Sequence, residues 1–367
     1  MVPAGEVWHT SKRIPVRNLW LLMFYASELR HLGAGRIGTE RQPDELPDLV
    51  AEILCREVER RLQQNLTQGY VDEQAIRSRV RGQVDMLKSE RAGLFRRGQV
   101  ACRYQELTMD TPRNRYVRDA LRHLATLALN RGLRRRCRTL AARLEKTGVT
   151  GRPPKTREVA SERYGRHDQH DRPMVAGARL AFELKIPTEQ GDREILLRPS
   201  HEEQWLRHLF EKAVAGFYDV VLGEEWSVKT GMQQAWPVEA GSAGLQRILP
   251  GMVTDIFLRH KASQRRIVID TKFATILTGN AYGQDKLKSE YLYQMYAYLR
   301  TQERSDDPGS LSTEGLLLHP AAGTSVDEEV TVQGHRIRFA TVDLAAETGC
   351  MRSELLKRVA AEPTDPA

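Results

Sequence analysis

Cysteine is scarce in this chain of 367 residues, which has four cysteines and no C-x-x-C pair. They lie far apart, at Cys55, Cys102, Cys137 and Cys350. A disulfide framework or a structural zinc site needs clustered cysteines, so we expect neither.

Long apolar runs are also missing, because no stretch approaches the roughly 18 residues of a membrane span. The N-terminal sequence MVPAGEVWHTSKR has no apolar core typical of a signal peptide. We therefore expect a cytoplasmic protein with no membrane partner.

Positive charge, by contrast, is in excess, with a formal net charge of +8 at pH 7. Basic proteins often bind polyanions, and DNA and RNA are the commonest of these. The arginines cluster in places, notably in RGLRRRCR at 131–138, which contains Arg134, Arg135 and Arg136. Such a cluster is either a solvated surface or a patch that contacts phosphates or a partner protein.

The hydrophobic pattern changes along the chain and predicts an α/β (α+β) multidomain protein. Apolar residues recur at helical spacing at 14–32 and 44–66, so the first half should be mostly helical. The second half alternates short apolar strands with helices, which is typical of a mixed sheet flanked by helices. We predict an N-terminal domain at 1–150, a linker or irregular region at 151–199, and a second domain at 200–367.

Two acidic residues stand next to apolar strand segments in the second domain. Asp255 lies in TDIFLRH and Asp270 follows the run Ile267 to Ile269, with a polar turn between the two strands. Suppose that the strands form an antiparallel hairpin folded between residues 262 and 263. Residues whose numbers sum to about 525 are then opposite each other, and Asp255 faces Asp270. Two facing carboxylates repel each other unless a cation lies between them, and Mg²⁺ prefers oxygen ligands. Lys272 should share their face, because side chains alternate along a strand.

The flanking helices add further candidates. Gln294 and Tyr298 in YLYQMYAYL are four residues apart and lie on one helical face. In the helix over about 201–222, Glu203 projects into the apolar stripe and Glu211 falls just outside its edge. We therefore prefer Glu203 as an additional acid, with Glu211 as the alternative. Packing for Tyr298 and a surface position for either glutamate are the simpler interpretations.

Asp255, the tetrapeptide IDTK at 269–272, Gln294 and Tyr298 together resemble the PD-(D/E)xK nuclease superfamily, in particular its RecB-like branch with the Q-x-x-x-Y motif. Thr254 replaces the proline that usually precedes the first acid. A narrower resemblance covers nearly the whole chain. The segments IPVRNLWLLMFYA, RVRGQVD, DTPRNR, TDIFLR, IVIDTKF and YLYQMYAYL are similar to the McrC family, the nuclease subunits of McrBC modification-dependent restriction systems.

This resemblance implies a Mg²⁺-dependent endonuclease that cuts double-stranded DNA in a complex directed to methylcytosine. Asp255 and Asp270 would hold Mg²⁺, Lys272 would assist the attacking water, and Gln294 and Tyr298 would support the site. It also implies a partner, a McrB-like hexameric AAA+ GTPase that binds GTP and is stimulated by the N-terminal half. This chain has no G-x-x-x-x-G-K-[ST] phosphate-binding loop, so the NTPase must be a separate protein.

The partner contact is expected within residues 1–150, where arginine stands beside asparagine in IPVRN. A basic group can stabilise charge on the γ-phosphate of a partner NTPase, so Arg17 and Asn18 are candidates beside the cluster at Arg134 to Arg136. Arg17 and Asn18 could equally cap or anchor the helix that follows. Two other functions stay open: a stand-alone RecB-like DNA repair nuclease, and a non-cutting adaptor of an AAA+ ring.

Overall fold

A computed structural model describes most of the chain. The described residues are 14–31, 46–160, 164–165, 168–184, 199–242, 244–279, 285–321 and 325–360. The side chains of Arg17 and Glu203 lie outside them, although each residue belongs to a helix. Within these ranges no helix is both long and apolar enough to cross a membrane.

The chain divides into two compact units, one formed by residues 1–46 and 186–367 and the other by residues 47–185. This division differs from the predicted boundaries at both ends. The segment before residue 47 joins the C-terminal unit, because the first helix packs along the helix that starts at Pro199. The predicted linker at 151–199 contributes two helices, Thr156–Ala160 and Arg172–Glu183, to the unit formed by residues 47–185.

The unit of residues 47–185 combines helices with a small antiparallel sheet. Its helices are α2 (Leu46–Gln63), α3 (Met86–Arg91), α4 (Pro112–Leu127), α5 (Arg131–Lys146), α6 (Thr156–Ala160) and α7 (Arg172–Glu183). Its strands are β1 (Gly69–Arg77), β2 (Gln83–Val84) and β3 (Val100–Thr108), in the order β1-β3-β2. Thr111 caps α4 with its side chain and Pro112 occupies the first turn. The helical character expected for this part of the chain is confirmed.

The other unit contains a mixed six-stranded sheet flanked by helices, as predicted. Its helices are α1 (Val16–Ala26), α8 (Pro199–Val221), α9 (Leu245–Ile248), α10 (Ser289–Thr301), α11 (Pro308–Leu311) and α12 (Thr348–Ala360). Its strands are β4 (Trp226–Gln234), β5 (Met252–His260), β6 (Arg266–Thr271), β7 (Leu277–Gly279), β8 (Asp285–Leu287), β9 (Glu314–Pro320), β10 (Asp327–Val332) and β11 (His335–Val342). The large sheet has the order β10-β11-β9-β6-β5-β4, and β7 pairs with β8.

Strand β6 lies inside the large sheet, antiparallel to β5 and parallel to β9. Ile267, Val268 and Ile269 are almost completely buried, which is the pattern expected of a strand covered on both faces. Ile256 pairs with Ile269, so the hairpin register predicted from the sequence is confirmed.

Two helices, α10 and α8, pack close to the region around β6. Helix α10 packs on β6 and β9 with Met295 and Leu299 in a common core with Val268 and Leu317. Helix α8 packs on α1 at Gly216, where an added Cβ would lie 1.9 Å from the Tyr25 carbonyl oxygen. The close crossing of these two helices therefore requires glycine at this position.

Candidate active site

Asp270 and Lys272 form a buried ion pair at the end of β6. The lysine Nζ donates a hydrogen bond to Oδ1 at 3.1 Å and lies 2.8 Å from Oδ2, out of line for a second hydrogen bond. Asp270 is 1% exposed and Lys272 is 9% exposed, so water screens this pair poorly. Burial raises the pKa of Asp270 to about 6, although the positive charge of Lys272 acts against that increase. The two side chains share a face of the sheet, as the alternation along β6 predicts.

Asp255 approaches the same site from β5. Its Oδ2 accepts hydrogen bonds from the backbone N–H and the hydroxyl of Thr271, at 2.8 and 3.0 Å. The Asp255 carboxylate is close enough for its negative charge to raise the pKa of Asp270. Both acids thus lie at one end of the β5–β6 hairpin.

A third carboxylate comes from α8, and it belongs to Glu211. Burial raises the pKa of Glu211, and the negative charge of Asp255 raises it further. Glu211 was the alternative in the sequence prediction. Glu203, the preferred acid, has its side chain outside the described residues, so the structure gives no position for it.

Gln294 and Tyr298 lie together on α10, where the Gln294 side-chain amide donates a 2.6 Å hydrogen bond to the tyrosine hydroxyl. Burial raises the pKa of Tyr298, and the charge on Asp270 acts in the same direction. The tyrosine ring lies in the core, and its hydroxyl is near enough to Asp270 to be affected by that charge.

The carboxylates meet the requirements of a magnesium site only in part. Among the described residues, no group of three or more His, Cys, Asp and Glu side chains is arranged to hold a metal ion. Mg²⁺ keeps several waters, however, and commonly takes only one or two protein carboxylates together with substrate phosphates. Asp270 Oδ2 is buried and receives no hydrogen bond from the described part of the chain. Asp255 and Asp270 therefore fit Mg²⁺ as a pair of ligands.

The predicted partner contacts have different surroundings. Asn18 is completely buried, and its amide nitrogen donates to the carbonyl oxygens of Leu344 and Ala346 at 2.7 and 2.9 Å. A surface contact at Asn18 is therefore wrong, and the anchoring alternative is the one observed. The side chain of its neighbour Arg17 lies outside the described residues.

The arginine cluster on α5 is only partly available. Arg136 binds both carboxylate oxygens of Glu59, at 2.7 and 2.5 Å. Arg134 donates to the Leu129 carbonyl oxygen at 3.2 Å. Arg135 is exposed to solvent. Arg135 is therefore the member of the cluster best placed for an external contact.

Sequence reasoning missed three side chains near the acids. Arg207 lies one helical turn before Glu211, and its charge lowers the pKa of both Glu211 and Asp270. Its spacing of four residues from Glu211 was a usable signal. Tyr291 lies beside Lys272, and His319 lies beside Tyr291. The two residues come from different elements, so no local pattern connects them with the lysine.

The similarity of this chain to known proteins extends over most of its length and is not confined to the candidate active site. A family model described as McrBC 5-methylcytosine restriction system component matches residues 9–311. The chain belongs to this family. The resemblance found in the sequence is thereby confirmed at the level of the restriction system.

Individual relatives are more distant. The chain is 23% identical over 348 residues to the type IV methyl-directed restriction enzyme EcoKMcrBC of Escherichia coli K12, covering 94% of this chain and 96% of that protein. A structure of a Thermococcus gammatolerans assembly of McrB AAA+ hexamers with bound McrC matches 94% of this chain and 76% of that chain, with 14% identity and a TM-score of 0.43. A cryo-EM structure of the McrBC complex from the same organism matches 51% of this chain and 61% of that chain, with 16% identity and a TM-score of 0.35.

Proposed function

We propose that this member of the McrBC family is the DNA-cutting subunit of its restriction complex, a Mg²⁺-dependent endodeoxyribonuclease of the PD-(D/E)xK type. The observation that carries the proposal is the buried Asp270–Lys272 pair with Asp255 across the hairpin. Burying a charged pair costs several kcal/mol in desolvation, so such a pair is weak evidence for stability alone. Its location beside two further acids favours a catalytic role.

Each side chain has a separate task in this proposal. Asp255 and Asp270 would hold Mg²⁺, and Glu211, whose pKa the charge of Asp255 raises, would be the third acid of the site. The bound ion supplies positive charge that polarises a phosphodiester and makes water more acidic. Lys272 orients the attacking water and offsets negative charge that develops on the phosphate. Tyr298 and Gln294 support the Asp270 side of the site through their mutual hydrogen bond.

A partner contact through the unit of residues 47–185 completes the proposal. None of the proposed catalytic residues belongs to this unit. The chain has no phosphate-binding loop of its own, so GTP hydrolysis would belong to a McrB-like AAA+ partner.

Arg135→Glu should weaken partner or DNA binding, whereas Arg136→Glu would also place a negative charge against Glu59. Loss of co-elution with the GTPase in the absence of DNA identifies a partner contact, and an altered salt dependence identifies a DNA contact.

The central experiment compares Asp270→Asn with Asp306→Asn in the complex reconstituted with the GTPase, GTP, Mg²⁺ and methylated DNA. Asp306 is an exposed aspartate on the same unit, paired with Arg304. Asp270→Asn should abolish cutting and leave GTPase stimulation intact, and Asp306→Asn should leave both intact. Cutting by Asp270→Asn at the wild-type rate would overturn the proposal. Cutting by the isolated wild-type chain would favour the stand-alone repair nuclease instead.

A further inference from the structure

His319 is a buried histidine in β9, on the strand next to the one that carries Asp270. It is completely buried. Its Nδ1 lies 2.9 Å from the Ala274 carbonyl oxygen. Because a carbonyl oxygen only accepts, Nδ1 carries the proton, and in the neutral ring Nε2 is left as an acceptor. Nε2 has no hydrogen-bond partner among the described residues. Leaving a buried nitrogen unpaired costs about 1–3 kcal/mol, so packing alone explains this histidine poorly.

The hydrogen bond to Ala274 lies immediately beyond Lys272. Strand β6 ends at Thr271, which pairs with Leu318. The Lys272 N–H then donates to the Leu318 carbonyl oxygen at 3.0 Å, and His319 binds Ala274 two residues later. The end of β9 therefore fixes the main chain on both sides of Phe273. Without the His319 bond, the backbone that follows the lysine would lose one of its two hydrogen bonds to the end of β9, the other being the bond from Lys272 N–H to Leu318.

The lysine side chain also shares a neighbour with His319. The Tyr291 ring lies 5.4 Å from the His319 ring, between centroids, and its centroid is 5.7 Å from Lys272 Nζ. Lys288 Nζ lies 5.4 Å from the same centroid. The ammonium of Lys272 therefore has two neighbours, the Asp270 carboxylate as an ion pair and the Tyr291 ring as a cation–π contact.

We propose that His319 is a positioning residue for Lys272, which it serves by tying down the following backbone and by supporting the Tyr291 ring beside the lysine. The role of Lys272 in cutting rests on the proposed function. This role requires an uncharged ring, since a charged imidazole would add a third positive charge to those of Lys272 and Lys288. Burial, assisted by those two lysines, lowers the pKa of His319 to about 4, which keeps the ring neutral near pH 7.

The experiment compares three variants in the reconstituted complex. His319→Leu removes the Nδ1 donor but keeps a buried side chain. His319→Asn keeps a donor near the Nδ1 position and serves as the rescue. His335→Leu is the control, because His335 on β11 is also completely buried and its Nδ1 binds the carbonyl oxygen of Thr313. Its Nε2 also binds Glu303, so His335→Leu should lose more stability than His319→Leu.

His319→Leu should lower kcat by about tenfold, the rate equivalent of one hydrogen bond, with little change in KM for DNA. His319→Asn should recover most of this loss, and His335→Leu should retain wild-type kcat once the folded fraction is taken into account. A wild-type kcat in folded His319→Leu, or an equal loss in His335→Leu, would overturn the proposal.

A second measurement does not depend on nuclease activity. Lysine acetylation by acetic anhydride, followed by mass spectrometry, reports how well Lys272 is protected in the full chain. Lys272 should be acetylated several times faster in His319→Leu than in the wild type, with protection restored in His319→Asn. Unchanged protection in His319→Leu would contradict the positioning role even if the wild-type complex cut no DNA. A wild-type complex that fails to cut, with Lys272 deprotected in His319→Leu, would instead contradict only the proposed function.

Discussion

Asp255 accepts two hydrogen bonds from Thr271, the residue that separates Asp270 from Lys272. The backbone pairing of β5 with β6 extends only to Ile256 and Ile269. The Asp255 carboxylate therefore binds the next N–H of β6 in place of a backbone carbonyl oxygen. This contact fixes the first acid relative to the second at the end of the ladder.

Thr271→Val should loosen that contact without removing it. Valine keeps the β-branched shape and the backbone N–H, and removes only the hydroxyl bond, so stability should fall by about 1 kcal/mol. DNA cutting should fall as well, because Asp255 loses one of the two bonds that orient it. Urea denaturation and a cutting assay measure the two effects.

The matched control for this change is Thr341→Val. Thr341 is also a buried strand threonine, and its hydroxyl binds the backbone of Val326. Thr341→Val should lose at least as much stability as Thr271→Val, because this hydroxyl both accepts from the Val326 N–H and donates to the Val326 carbonyl oxygen, and it should keep full activity. Equal activity losses in the two variants would mean that the effect of Thr271 is only structural.

Lys272→Met should destabilise the protein by roughly 3 kcal/mol, since removing one partner of a buried pair leaves an uncompensated charge. The double variant Asp270→Asn with Lys272→Met should lose less than the sum of the single variants. A double-mutant cycle in urea gives this coupling. Additive losses would show that the two charges do not interact, and removing the exposed Arg304–Asp306 pair should show almost no coupling.

The hairpin was predictable from sequence, because its register depends on a short local turn and on strand alternation. The ladder pairs Ile256 with Ile269, as expected. The helix acid was harder to choose. Helix α8 packs against both α1 and β4, so its apolar stripe does not point only toward the acids. The charge of Asp255 acts on Glu211, and Glu203, whose side chain lies outside the described residues, stays a prediction.

The domain boundaries were not predictable from local pattern for a related reason. Asn18 binds the carbonyl oxygen of Leu344, a residue 326 positions away in the chain. Neither residue type nor spacing signals such a distant contact. The same holds for His319, whose role depends on its position across from Lys272 rather than on the residues around it in the sequence.

Asn18→Leu should destabilise the protein by about 2 kcal/mol or more, because two buried carbonyl oxygens lose their donor. Chemical denaturation of the full chain measures this loss. An unchanged stability combined with weakened partner binding would contradict the anchoring role and restore the surface contact expected from the sequence.

Gly216→Ala should be more damaging than an ordinary glycine substitution. The added Cβ would lie 1.9 Å from the Tyr25 carbonyl oxygen and would force α8 away from α1, at a cost of roughly 3 kcal/mol or more. Gly349 in α12 is the control, because nothing lies within 4 Å of its added Cβ. Gly349→Ala should be neutral or slightly stabilising. Thermal unfolding measures both variants, and equal melting temperatures would contradict the steric requirement for glycine at position 216.

His319 should also give the protein a measurable dependence of stability on pH. Burial, helped by the charges of Lys272 and Lys288, lowers the pKa of the folded-state ring to about 4, whereas a histidine in the unfolded chain titrates near 6.5. The unfolded state therefore binds a proton first as the pH falls, and stability is lost between about pH 6.5 and pH 4, by up to about 3 kcal/mol.

Asp270 acts in the opposite direction over part of this range. Burial raises its pKa to about 6, so the folded state gains stability relative to the unfolded state as the pH falls from 6 toward 4. The pH profile of the wild type alone therefore mixes the two groups.

The difference between wild type and His319→Leu cancels the contribution of Asp270 to first order and leaves that of the histidine. Urea denaturation at pH 7, 6, 5 and 4 measures it. The free energy of unfolding of the wild type, relative to that of the variant, should fall steadily across this range. A difference that stays constant with pH would mean that His319 is not held as a neutral ring in the folded protein.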